Sequence, residues 1–235
     1  WNAKLCRQLQ LHVMNIKNNS LIIIPLFNEE IILNGLFPFL NQLRRSEIIF
    51  INDGSTDGTK EVINKYPFDC IDINENRGKG NAISIGAKFA MEHRKRWIIT
   101  LDGDLQHPPE LIPNFDDNDK NEIKLGWRKN KDTMPLFRKI SNIFTSLLLS
   151  IRSNVLIRDS QCGYRGFPTE TYIKCNNQEP GFHMESEFLI KASLLGVPIN
   201  HIEIPTIYNE SKSSMNYIPD LIKFISLWLK SFLWT

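Results

Sequence analysis

The sequence lacks an excess of either charge, a long apolar run and any paired-cysteine motif, and each absence removes a class of protein. Lys and Arg number 28 against 26 Asp and Glu, a net charge of +2. The one-sided basicity of an electrostatic nucleic-acid binder is missing, so no nucleic-acid partner is expected. No run of roughly 18 uninterrupted apolar residues occurs; the best candidate, Ile218 to Thr235, is broken by Asp220, Lys223 and Lys230. Cys6, Cys70, Cys162 and Cys175 form no C-x-x-C pair and are too few to staple 235 residues. They read as reduced thiols of a cytosolic protein. There is no Walker A loop, no repeat and no linker-like segment. With 42% hydrophobic and 23% charged residues, the composition is that of a globular chain, which excludes disordered, collagen-like and coiled-coil classes.

The two ends read differently from the middle. In residues 1–13, Lys4 and Arg7 precede Gln8, Gln10 and His12, which interrupt any apolar run, and no small-residue cleavage site follows. That is not a secretory signal, and residues 1–13 are expected to be an extension outside the fold. Residues 14–217 are expected to form one domain. Residues 218–235 carry Leu221, Ile222, Ile225, Leu227, Trp228, Leu229, Phe232, Leu233 and Trp234 around Lys223 and Lys230. They predict an amphipathic helix that either packs on its own core or lies in a membrane interface.

Between the ends, short β-rich runs alternate with helical patterns, the mark of βαβ units and a largely parallel sheet. Leu21 to Pro25, Ile48 to Asn52, Cys70 to Ile73 and Trp97 to Leu101 predict four strands. Glu29 to Leu43, Gly58 to Lys65 and Lys79 to His93 predict the helices among them, the last placing Ala82, Ile85, Phe89 and Ala90 on one face. The later part predicts a strand at Ile123 to Trp127, a helix over Pro135 to Ile151, an extended Cys162 to Phe167, a helix over Met184 to Leu195 and a strand at Val197 to Ile204.

In such sheets ligands bind beyond the carboxyl ends of the strands, where this chain is most polar. Asp102-Gly103-Asp104 follows the fourth strand. Two hard oxygen donors with open positions suit Mg²⁺ or Mn²⁺, which keeps waters and takes further ligands from substrate phosphates. Asp117-Asn118-Asp119, a second D-x-D, follows no hydrophobic strand and reads as a solvated turn. Asp53-Gly54-Ser55-Thr56-Asp57-Gly58 partly mimics a calcium loop, but Asn64 stands at its twelfth position and no helix precedes it. It reads instead as a strand-to-helix turn with Asp53 facing a base or ribose and Asp57 or Thr59 capping the next helix. Arg77-Gly78-Lys79-Gly80-Asn81 opens a helix with glycines and two cations, so its N–H groups are expected to face an anion. His107, beside Pro108-Pro109, reads as structural rather than as a ligand.

Taken in order, these segments resemble glycosyltransferase family 2 on a GT-A fold, and more narrowly its polyprenyl-phosphate (dolichyl-phosphate type) mannosyl- and glucosyltransferases. The likeness runs from Leu21 to Lys212. It rests on Ile24 to Glu29, Asn52 to Thr59, Asn76 to Gly80, Asp102 to Glu110, Gly126 to Arg128, Arg138 to Ser141, Asp159 to Arg165 and Ser211-Lys212. Asn52 stands where many relatives carry Asp, and Gly103 where many of the subgroup carry Ala. The resemblance implies an α/β fold of one GT-A domain, a mostly parallel sheet with helices on both faces. It implies a nucleotide sugar, GDP-mannose or UDP-glucose, held by Pro25, Phe27, Glu29, Asp53 and Lys79, with Asp102, Asp104 and Gln106 around a divalent metal on its diphosphate. Arg128, Arg138, Ser141, Arg165 and Lys212 would bind donor diphosphate and acceptor phosphate. Arginine forks suit that task because they grip phosphate oxygens in pairs. Asp102-Gly103-Asp104-Leu105-Gln106 with Pro108-Pro109 is the part that points to a polyprenyl phosphate acceptor. The enzyme would then be peripheral at the cytoplasmic face of a membrane, docked through Ile143 to Ile151 and the C-terminal helix.

Mechanism follows from the acceptor. A phosphate is already an anion near pH 7, its second pKa being about 6, so it attacks without a general base and inverts the anomeric carbon. A sugar hydroxyl needs a carboxylate to take its proton, and Glu185 or Glu187 are the candidates. A degenerate, non-catalytic domain is disfavoured by intact Asp102, Asp104, Arg128, Arg165 and Lys212. A nucleotidyltransferase would want a basic glycine-rich loop after the first strand, where Pro25-Leu26-Phe27-Asn28-Glu29 stands instead.

Overall fold

The computed structural model describes residues 19–40, 43–44, 47–104, 106–117, 120–130, 134–181, 183–207 and 217–234. The extension expected over residues 1–13, Asp119 of the second D-x-D, and the Ser211-Lys212 segment lie outside the described residues.

Seven strands form one sheet: β1 Ser20–Leu26, β2 Ile48–Asp53, β3 Asp69–Ile73, β4 Trp97–Thr100, β5 Ile123–Arg128, β6 Arg165–Pro168 and β7 Ile199–Ile204, in the order β3-β2-β1-β4-β6-β5-β7. β6 runs antiparallel to β4 and β5, and the other pairings are parallel. The central strands β1, β2 and β4 are near-continuous apolar runs because both faces of the sheet are covered there, while the edge strands β3 and β7 carry polar residues and are only partly buried. Along β1, Leu21 and Ile23 enter one core with Ile49, Ile51 and Ile98, while Ile22 and Ile24 enter the other with Ile48, Phe50 and Ile99. Side chains alternate across a strand, so one strand serves both layers. Pro25 is tolerated in a central strand because it lies past the last β4 partner, the Ile23 to Thr100 pair.

The helices are α1 Glu30–Leu40, α2 Thr59–Ile63, α3 Lys79–Glu92, α4 Ile112–Phe115, α5 Leu136–Ser153, α6 Thr169–Cys175, α7 His183–Leu194 and α8 Tyr217–Ser231. Leu33, Leu36 and Phe37 of α1 fill one core; Ala82, Ala87 and Ala90 of α3, Phe188 of α7 and Phe224 of α8 fill the other. Helices on both faces of a mostly parallel sheet are what the sequence pattern predicts. One expectation is corrected and two elements are new. The extended Cys162 to Phe167 becomes a strand only from Arg165, and it reverses direction. The helix α6 and the 3-10 turn Pro109–Leu111 have no counterpart in the sequence reading; both are too short to show periodicity.

Candidate functional site

The turns after β1, β2 and β4 open on the same edge of the sheet, as the carboxyl ends of parallel strands must. They border a cleft of about 900 Å³. Pro25, Phe27, Glu29, Asp53, Lys79, Asp102, Asp104 and Gln106 line it, facing Arg128, Arg138 and Ser141, with Asp220, Leu221 and Phe224 of α8 at the rim. These seven sequence-distant segments therefore converge on one cavity.

The first two turns are laced together. Thr56 N–H donates to Asn28 Oδ1 at 2.8 Å, Asn28 N–H to Ser55 Oγ at 3.0 Å, and Glu29 N–H to Thr59 Oγ1 at 2.8 Å. Thr59 in turn donates its hydroxyl to Asp57 at 2.5 Å. Capping of α2 differs from expectation: the N-cap is Gly58 with no side-chain cap, and Asp57, one residue earlier, accepts the Thr59 N–H at 3.0 Å. The N–H groups of Arg77 and Gly78, expected to face a ligand anion, donate to Asp53 at 3.0 and 2.7 Å. Gly78 reaches this geometry at φ +87°, a region open to glycine and strained for other residues. Asp53 is buried by this clasp and still borders the cleft.

Asp102 and Asp104 flank the tight turn at Gly103. Lys79 Nζ lies 2.6 Å from Asp102, so the Lys79 cation is spent on a carboxylate of its own chain. Burial alone would raise the Asp102 carboxyl, but Lys79 and His107 together hold it low. Asp104 moves the other way, up, through burial and the charge of Asp102. Glu29 is pushed up to about 7 by burial and by Asp104, Asp102 and Asp57. His107 is buried and lowered to about 4 by that burial; it accepts the Asp102 N–H at Nδ1, 3.2 Å away, which fits its structural assignment. No group of three or more His, Cys, Asp or Glu side chains among the described residues forms a metal cage. The residues present fit a hard cation that Asp102 and Asp104 would hold with Gln106 beside them in the cleft, since crowded carboxylates favour a divalent ion with waters and substrate oxygens.

On the opposite wall, Arg128 forks onto Asp159, Nε and Nη2 donating at 2.8 and 2.9 Å. Asp159 is fully buried and also accepts Asn142 Nδ2 at 2.6 Å. Ser141 Oγ accepts Gln161 Nε2 at 3.1 Å. Gln161 lines the cleft, and Asp159, itself held by Asn142, fixes Arg128 in its wall; the sequence gives none of the three a role, although Asp159 and Gln161 fall within the Asp159 to Arg165 segment, and Asn142, beside Ser141, carries no signal of its own.

Two expected residues are elsewhere. Arg165, expected at phosphate, is 2% exposed and donates Nε to the carbonyl of Cys162, Nη1 to that of Glu185 and Nη2 to that of Ser160, at 2.9, 2.8 and 2.9 Å. Each of its three guanidinium nitrogens donates to main chain and the side chain does not line the cleft, so Arg165 braces the wall. Glu187, expected as a base, is buried, accepts N–H from Gln178 and Glu179 at 2.8 and 2.7 Å, and pairs with Lys191 at 2.6 Å. It does not line the cleft, whereas Glu185 does. His183, left unassigned from sequence, borders the cleft with Nε2 3.0 Å from the Asp220 carbonyl.

The family model for glycosyl transferase family 2 matches residues 21–172. The chain is 30% identical over 229 residues to an uncharacterized protein of Methanocaldococcus jannaschii, covering 87% of this chain and 98% of that one. It is 29% identical to the UDP-N-acetylglucosamine–dolichyl-phosphate N-acetylglucosaminyltransferase of Methanococcus voltae, over 80% of this chain and 86% of the relative. It is 26% identical to the dolichol-phosphate mannosyltransferase of Saccharomyces cerevisiae, over 74% and 70%. Among solved structures, glucosyl-3-phosphoglycerate synthase from Mycobacterium tuberculosis, in complex with Mn²⁺, uridine diphosphate and phosphoglyceric acid, superposes with a TM-score of 0.72 at 15% identity, over 90% of this chain and 78% of that one. That likeness is one of fold.

Proposed function

The chain belongs to glycosyl transferase family 2, and from that premise we propose that it moves a hexose from a nucleotide sugar, GDP-mannose or UDP-glucose, to a polyprenyl phosphate at a membrane surface. The observation that carries this reading is the two-sidedness of α5. Arg138 and Ser141 line the cleft, while Leu136, Phe137, Ile140, Ile143, Leu147 and Ile151 of the same helix are exposed, Phe137 by 76%. The buried positions of α5 include Asn142, Thr145, Ser146 and Ser153. A helix with its polar stripe inward and its apolar stripe outward is reversed for a globular surface. It suits an acceptor with a charged head and a hydrocarbon tail. Ile222, Leu229, Phe232 and Leu233 of α8 add further exposed apolar surface. No helix among the described residues is long and apolar enough to cross a membrane; the reading is of peripheral attachment at the cytoplasmic face, with residues 14–217 as the transferase domain and residues 218–235 as an interfacial segment.

In this reading Pro25, Phe27, Glu29 and Asp53 surround the nucleoside, and Gln106 joins Asp102 and Asp104 at the diphosphate. Mg²⁺ or Mn²⁺ held by Asp102 and Asp104 would supply the charge that stabilises the departing diphosphate. Arg138, on the cleft wall, steers the acceptor phosphate, and Lys212 is proposed to assist it. Arg128 holds its guanidinium in the cleft wall through Asp159. The acceptor phosphate, largely dianionic above pH 6, attacks the anomeric carbon from the side opposite the leaving group. No proton has to be removed. A second reading, a sugar hydroxyl acceptor, is favoured only by Glu185 facing the cleft, and its carboxylate is already paired with Lys79 at 3.0 Å.

The test is transfer of radiolabel from several nucleotide sugars to a short polyprenyl phosphate with Mg²⁺ or Mn²⁺, followed by extraction into organic solvent. Metal-dependent label in the organic phase is expected. Donor binding without lipid labelling would overturn the acceptor assignment and move the bet to a hydroxyl.

A further inference from the structure

Lys79, the first residue of α3, places its ammonium 2.6 Å from Asp102 Oδ1 and 3.0 Å from Glu185 Oε1. The three side chains come from three elements: the start of α3, the turn after β4 and the first turn of α7. Gly163 leaves room for the pair: a Cβ there would stand 2.7 Å from Asp102 Oδ2 and meet Lys79 Nζ, so one of the two side chains would have to shift. The main chain of Glu185 is held by Arg165 through its carbonyl at 2.8 Å. One largely buried ammonium thus answers two carboxylates, and one of them is a candidate metal ligand.

We propose that Glu185 is a positioning residue rather than a base: by sharing the Lys79 ammonium with Asp102, it leaves Asp102 free to take a divalent cation. The proposal rests on the metal assignment made under Proposed function. An ammonium and a divalent ion compete for the same carboxylate oxygens. With Glu185 in place, Lys79 keeps a full counter-charge when the cation arrives, and its release from Asp102 strands no buried charge. With an amide at position 185, a cation has to break a buried ion pair before it binds.

The probe is Mn²⁺ alone, titrated into the metal-free full chain and read from the paramagnetic resonance signal of the free ion. Glu185→Gln is expected to weaken Mn²⁺ binding about tenfold or more, the range found when the partner of a metal ligand is removed. Lys79→Met removes the competitor, so adding Glu185→Gln to it is expected to change affinity by no more than about twofold. Thermal melts check that each variant folds. Should Lys79→Met not fold, Glu185→Asp decides, since it keeps the charge and is expected to bind within about threefold of the parent. Unchanged Mn²⁺ affinity in Glu185→Gln with transfer abolished would overturn the proposal in favour of a base. Equal weakening with and without Lys79 would overturn it as well. Absence of Mn²⁺ binding in the parent chain would bring down the metal assignment itself, and the proposal with it.

Discussion

Arg165 donates its Nη1 proton to the carbonyl of Glu185 across 2.8 Å of protein interior. That one bond joins the first residue of β6 to the helix that carries the Lys79 partner. The same guanidinium satisfies the carbonyls of Cys162 and Ser160, so a cation that reads as a phosphate ligand in sequence is a brace in space.

Arg165→Met takes a charged donor from all three carbonyls and leaves those of Cys162 and Ser160 without it, while the Glu185 carbonyl keeps its bond within α7. Hydrogen bonds to a charged group contribute about 1.5–3 kcal/mol each, and their effects overlap, so the expected loss is about 3 kcal/mol or more. Urea unfolding measures it as a lower midpoint. A variant that melts like its parent but no longer binds nucleotide sugar would return Arg165 to the phosphate.

Asp104→Asn separates function from stability. Its carboxyl is raised by burial and by the charge of Asp102, so the charge is a burden on the folded chain at pH 8. The amide is expected to raise the melting temperature of the metal-free protein while lowering transfer by about a thousandfold, a magnitude typical of losing a group that stabilises developing charge. A lower melting temperature would show that the pair is not repulsive.

Cation binding should release protons. Glu29 at about 7 and the raised Asp104 hold protons in the folded state that a divalent ion must displace. Apparent affinity therefore rises with pH and levels off above 7. Calorimetry with Mn²⁺ at pH 6.5 in two buffers of different ionisation enthalpy reads the release directly. The sign for folding is opposite: a carboxyl raised from 4.5 contributes stability in acid and loses it as pH climbs to 7, so Glu29→Gln should flatten that part of the profile.

Ile140→Glu with Leu147→Glu places charges on the exposed face of α5, whose side chains at these positions are 55% and 57% exposed. Folding should be untouched, because neither residue is in a core. Flotation with vesicles containing anionic lipid should show binding by the parent and its loss in the double variant. Equal flotation of both would remove α5 from the membrane.

Much of this was written in local pattern. The runs Leu21 to Pro25, Ile48 to Asn52 and Trp97 to Leu101 are apolar enough to announce strands covered on both faces, and the polar segments that follow them announce where a ligand goes. The 3.6-residue spacing in Lys79 to Glu92 marks α3. Partner choice was not legible. Arg77 and Lys79 stand two residues apart at the opening of α3, yet one is tied to Glu75 and the other to Asp102, because only the fold decides which carboxylate lies within 3 Å. Glu185 and Glu187 differ by two positions, which on a helix turns one into the cleft and the other toward Lys191.

By itself the sequence determined the layered α/β class, through periodicity, and the family, through the order of its strand-end motifs. Only the tertiary structure decided which charges are free. It spent Arg165 on buried carbonyls and Glu187 on the N–H groups of Gln178 and Glu179 and on Lys191, paired Arg128 with Asp159 and turned the apolar face of α5 outward. The reason is physical: a buried charge must find its counter-charge or a carbonyl wherever the packing leaves one, and that geometry is set by residues far away in the chain.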